Sequence, residues 1–116
     1  MSSYKDLLVW QKSIQLVTEV YRLSKTLPKE KIYGLVSQMQ RAAVSIPSNI
    51  AEGHDRNSDK EFRNFLCIAR GSLAELETQV IIAENLGYIK QEQKIYILNK
   101  CYEIGKMING LLKKLG

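Results

Sequence analysis

Residues 38–56 read QMQRAAVSIPSNIAEGHDR. Met39, Ala42, Ala43, Ile46 and Ile50 recur at the spacing of one helix face. Pro47 falls inside that face. Its ring removes a backbone donor and crowds the preceding turn, at about 3 kcal/mol in a helix interior. The apolar spacing continues past it, so the stretch predicts one helix kinked at Pro47 rather than two elements. Ser45, Ser48 and Asn49 are short polar side chains that can bond the backbone groups a kink frees. Gly53 is expected as the C-terminal cap. Arg41 and Glu52 are expected to pair within the fold, and His54 to lie in an exposed loop.

Toward the N-terminus the same stripe runs back through Val36, Leu35 and Ile32 to Pro28, a residue suited to a first helical turn. Helix 1 is expected over about 6–27. It carries two adjacent stripes, Leu7, Trp10, Ile14, Val17, Tyr21 and Leu16, Val20, Leu23, Leu27. Toward the C-terminus, Ser58-Asp59-Lys60-Glu61 is a capping box. It opens helix 3, over about 58–86, with Phe62, Phe65, Leu66, Ala69, Leu73, Leu76, Val80 and Ala83 inward. Gly71 in its middle suggests close approach of another group. Gly87 ends it. Helix 4, over about 90–115, is expected to bury Ile95, Leu98, Cys101, Tyr102, Gly105, Ile108, Leu112 and Leu115. No stretch alternates as a strand does. Four helices with short connections, helix 2 over about 28–53, predict an all-α, up-down-up-down antiparallel four-helix bundle in one domain, residues 1–116.

Composition narrows the function. The 116 residues are 45% hydrophobic and 25% charged, ordinary for a globular chain. No run is long and apolar enough for a transmembrane helix, and the N-terminus does not read as a signal peptide, so a cytoplasmic protein without membrane contact is expected. Cys67 and Cys101 fall in apolar stripes and are expected reduced. Net charge is +5, and the last quarter of the chain, 89–116, alone carries a net +4.

Catalysis finds little support. His54 is the single histidine. The Glu-x-x-His pairs of a di-iron bundle, HExxH, a P-loop, GxGxxG and CxxC are all missing, so no enzyme activity, metal or cofactor is expected. Glu75 and Glu77 point to different sides of a helix and form no carboxylate pair. Basic residues offer more. Arg56, Lys60 and Arg63 lie about one turn apart at the start of helix 3, where the helix dipole also favours an anion. Lys100, Lys106, Lys113 and Lys114 form a second group on helix 4. Together they are the candidate contacts for a nucleic-acid backbone. Surplus apolar residues on helices 1 and 4, namely Leu8, Val9, Leu16, Ile97, Ile104 and Leu111, suggest self-association.

The segments YKDLLVWQKS, YGLVSQMQRAAVSIPSNIAEG, FLCIARGSLAELETQ and LGYI occur in an order and spacing that resembles a known family. It is the S23-type four-helix bundle family encoded within 23S rRNA intervening sequences, distantly similar to the accessory protein of diversity-generating retroelements. The resemblance implies an up-down bundle that assembles into a ring-like homo-oligomer, a pentamer by preference, without known enzymatic activity. It also implies RNA or another polyanion as a partner. Arg41, Ser45, Pro47, Asn49, Glu52, Gly53, Gly71, Ser72 and Glu75 match the family's motif positions, and no catalytic residue carries over. The expected function is therefore a non-enzymatic homo-oligomeric bundle binding RNA through basic surface. The alternative is an assembly or protein-partner scaffold that binds no nucleic acid.

Overall fold

The computed structural model describes residues 3–116. A short 3-10 turn, Tyr4–Asp6, precedes four helices: α1 Leu8–Ser24, α2 Lys29–His54, α3 Asp59–Asn85 and α4 Gln91–Leu115. Connections of four or five residues force sequence neighbours to run antiparallel. α2 packs on α1 and, most extensively, on α3, while α4 closes the ring of contacts between α3 and α1. The molecule measures 44 × 21 × 20 Å. Its length is that of α3, whose 27 residues span about 40 Å at 1.5 Å each.

Local chemistry sets the helix ends. The Ser3 hydroxyl accepts from the Lys5 amide, and the Asp6 carboxylate accepts from the Ser3 amide, both at 3.1 Å. At the start of α3 the Ser58 hydroxyl accepts from the Glu61 amide at 3.2 Å. At its end Gly87 takes φ +81°, a conformation that costs glycine little. The Tyr88 amide then reaches the Ala83 carbonyl and the Gly87 amide reaches Glu84, both at 2.9 Å. This is a Schellman closure.

Helix 2 departs from expectation at two points. The backbone leaves helical dihedrals at Ile32 (φ −131°, ψ 34°), not at Pro47, and the helix continues through the buried proline. Gly53 does not cap the helix. It is buried within the last turn, and Asp55 follows as the cap at φ −82°. A Cβ on Gly53 would stand 2.6 Å from the Phe65 Cβ. Glycine is required there so that the end of α2 can touch the start of α3. Gly71 is the converse case, with nothing within 4 Å of a Cβ built on it.

The core joins Leu16, Val20 and Leu23 of α1, Met39, Ala43, Ile46 and Ile50 of α2, Leu66, Ala69, Leu76 and Val80 of α3, and Ile97, Cys101, Ile104, Ile108 and Leu112 of α4. The α4 face is thus rotated from the expected one. Ile97 and Ile104 are buried, whereas Ile95 and Tyr102 are exposed. Val9 and Leu16 are likewise core, which leaves only Leu8 of the supposed surplus on α1 well exposed. Ser13 shares the buried face of α1. Its hydroxyl donates to the Val9 carbonyl at 2.7 Å, so a polar residue sits in the core with its hydrogen bond made.

Candidate functional site

The basic residues singled out from sequence do not form one surface. Arg56 is occupied locally. Its guanidinium meets the Glu52 carboxylate at 2.7 Å and Glu61 at 3.8 Å, and lies 4.9 Å from the centre of the Phe65 ring. Glu52 therefore pairs with Arg56 one turn on, not with Arg41. Lys100 lies over the Tyr96 ring at 4.9 Å, and the Tyr96 hydroxyl donates to Glu19 of α1 at 3.3 Å. Lys114 borders an apolar depression with Leu7 and Leu8. Both lysines thus belong to the α1/α4 side.

The others converge. Arg63, Cys67 and Arg70 of α3 and Asn109 and Lys113 of α4 line one groove. Lys60 lies one turn before Arg63 and two turns before Cys67, on the same side of α3. Lys106 lies one turn before Asn109 on α4, its ammonium 5.5 Å from the Tyr102 ring centre. Arg63 donates to the Leu112 carbonyl, which also accepts from the Gly116 amide at 3.0 Å. It therefore places positive charge at the negative end of the α4 dipole. Arg70 donates to the Asn109 side-chain oxygen at 3.0 Å. These bonds hold two guanidinium groups against α4 without neutralising them. No acidic side chain occurs from Phe62 to Ala74 or from Ile104 to Gly116, so the charged side chains that line the groove are all basic, and Asp59 lies one turn before Arg63. Arg70 completes the face, and no spacing rule pairs it with Asn109, which lies 39 residues away.

The polar residues of 38–56 have another task. The Ser45 and Ser72 hydroxyls are 2.8 Å apart, joining α2 to α3. The Asn49 amide donates to the Ser45 carbonyl at 2.7 Å and to its hydroxyl at 2.9 Å. The carbonyl that Pro47 cannot serve is that of Ala43, so this network does not replace the missing proline donor. His54 is half-buried at the end of α2 rather than in a loop. Its ring meets the Phe62 ring edge-on at 5.7 Å.

Reactive chemistry is sparse. Cys101 is buried, and burial, then the negative charge of Glu77, pushes its thiol up to about 12. Burial also raises the Glu77 carboxyl. A thiol so protonated is no nucleophile at neutral pH. Cys67 is exposed rather than part of an apolar stripe, and its sulfur is 3.9 Å from the Arg70 guanidinium. Among the described residues no three potential metal ligands gather, and no helix is long and apolar enough to cross a membrane.

No curated protein matches the chain. One solved structure is similar over 91% of this chain and 99% of its own, at 30% identity and a TM-score of 0.86. It is a protein of unknown function from the S23 ribosomal protein family of Bacteroides thetaiotaomicron, determined at 1.70 Å. The model of the 23S rRNA-intervening sequence protein family matches residues 5–110, nearly the whole of the bundle just described. The chain belongs to that family.

Proposed function

We propose that the protein is a non-enzymatic, homo-oligomeric helical bundle that binds RNA by its phosphate backbone along the α3/α4 groove. The observation that carries this reading is the meeting of Arg63, Arg70 and Lys113 in one groove whose lining side-chain charges are all positive, with Lys60 and Lys106 about one turn away on the same sides of their helices. Guanidinium forks and ammonium groups suit phosphate oxygens, while exposed Tyr102 beside Lys106 offers a ring on which a base can stack. Nothing on this face presents a base-reading pattern, so recognition is of backbone and shape. Apolar side chains exposed on a single bundle, Tyr33 and Ile14 among them, support self-association.

The test is binding of a structured RNA hairpin across a potassium chloride series. Each phosphate contact contributes about 0.7–0.9 to the slope of log affinity against log salt. A variant combining Lys60→Gln, Lys106→Gln and Lys113→Gln is expected to lower the slope by about 2–3. Absence of binding at low salt, or a slope that the triple variant leaves unchanged, overturns the RNA reading and favours a protein scaffold.

A further inference from the structure

The α2/α3 side of the bundle leaves ionisable groups without partners. Arg41 on α2 and Glu75 on α3 are both exposed and border one polar groove with Ser45 and Gln79. Neither joins an ion pair among the described residues. The Gln79 side-chain oxygen is shut off from solvent in the isolated chain and accepts no hydrogen bond, an unfavourable state for a buried acceptor. Ile68 and Ile82 stand seven residues before and after Glu75, on the same face of α3, with Leu86 one turn beyond. They are 51%, 41% and 60% exposed. The outer face of a solvated bundle helix is normally polar, and here large aliphatic side chains stand among the polar ones.

We propose that a second copy of the chain docks on this face, with Arg41 of one subunit against Glu75 of the next and the α3 isoleucines packed around the pair. The patch carries both signs of charge, so it is complementary to another copy of itself. RNA does not suit it, because Glu75 repels phosphate and aliphatic side chains give a base nothing to stack on. The inference rests on the homo-oligomer reading above and names the surface that carries it.

Charge reversal tests it by light scattering on size-exclusion chromatography. Arg41→Glu alone and Glu75→Arg alone each set like charges across the contact. Each is expected to weaken assembly by at least about tenfold, since like charges juxtaposed at an interface are strongly disfavoured. Tagged R41E mixed with untagged E75R is expected to co-assemble and co-purify, because each supplies the charge the other lacks. A pair formed within one chain cannot be rescued by mixing. Both side chains are exposed, so each variant is expected to keep its helical circular dichroism. Should either not fold, Ile82→Lys replaces it, with the same loss of assembly expected. Single variants that assemble like the wild type, or a mixture that stays apart, overturn the proposal. A monomeric wild type overturns the homo-oligomer reading as well, whereas an oligomeric wild type with unaffected variants overturns only this surface.

Discussion

Gly53→Ala and Gly71→Ala are the same chemical change in two helices, and the structure gives them opposite signs. At Gly71 a Cβ meets nothing within 4 Å, so the substitution yields the helix propensity of alanine, about 0.5–1 kcal/mol of added stability. At Gly53 the new Cβ stands 2.6 Å from the Phe65 Cβ and 3.1 Å from a Phe62 ring carbon. Ordinary contact begins near 3.4 Å, so roughly 1 Å must open. The Phe65 Cβ is fixed to the α3 backbone and cannot rotate away, so the end of α2 and the start of α3 must part. Overpacking of this kind costs about 1–3 kcal/mol, against the propensity gain of about 1. The net expectation is a loss of up to about 2 kcal/mol. Urea unfolding followed by circular dichroism reads both, at one fixed chain concentration because assembly contributes to apparent stability. A G53A midpoint that rises as much as that of G71A would refute the close approach. A G71A midpoint that falls would show a neighbour on α3 that the single bundle does not contain.

Ser72→Ala removes the hydroxyl that joins α3 to Ser45 and is expected to cost about 1 kcal/mol in the same assay, with no loss if the Ser45–Ser72 bond is idle. An aromatic disulfide reagent at pH 8 is expected to titrate one thiol per native chain, Cys67. Cys101, at about 12, is ionised to only about one part in ten thousand there, and rapid reaction of two thiols contradicts its burial. The same shift couples to stability. The unfolded thiol ionises from about 9.0 upward while the folded one keeps its proton, so this contribution is intact below pH 9 and is lost as pH rises toward 12. Wild type is therefore expected to lose stability with alkaline pH more steeply than Cys101→Ala, and parallel profiles would refute this. Arg56→Gln is expected to leave the salt slope of RNA binding unchanged, because Glu52 and Glu61 already hold that guanidinium. A fall of about one in slope would return Arg56 to the interface.

The helices were legible because their signals are local. Ser58 before Glu61, Gly87 after an apolar run and the 3.6-residue stripe of α3 each act within a turn or two. What misled was choosing between two apolar stripes on one helix. Helix 4 offers Ile95, Leu98 and Tyr102 on one side and Ile97 and Ile104 on another, with Cys101, Ile108 and Leu112 shared. Periodicity weighs these sides equally. Packing against α1 and α3 selects the second, and the lysine over Tyr102 covers part of what is left outside. Gly53 shows the same limit. Its position at a helix end suggests a cap, yet its function is set by two phenylalanines of the next helix.

The site was legible as composition and obscure as geometry. Arg56, Lys60 and Arg63 look equivalent in sequence, one turn apart at a helix start. Their neighbours make them different. Arg56 has a glutamate four residues before it on α2, in the arrangement that favours an ion pair. Lys60 has no such partner. Arg63 finds the last carbonyls of α4, 49 residues away, and keeps its charge because carbonyls polarise but do not neutralise it. The first of these distinctions is not settled by spacing alone, because Arg63 also has an acid, Asp59, at i−4 and yet turns to α4. The last cannot be read from spacing either, because it depends on where the end of α4 meets the start of α3. The same reasoning separates Arg41 from Arg56. Arg41 belongs to the motif and has no acid at i±4, so its unpaired charge faces outward beside Glu75. Charge left unsatisfied on a folded surface is available to another molecule, and its sign says which. The α3/α4 groove, whose charged lining side chains are all basic, suits phosphate, and the mixed-sign α2/α3 groove suits protein.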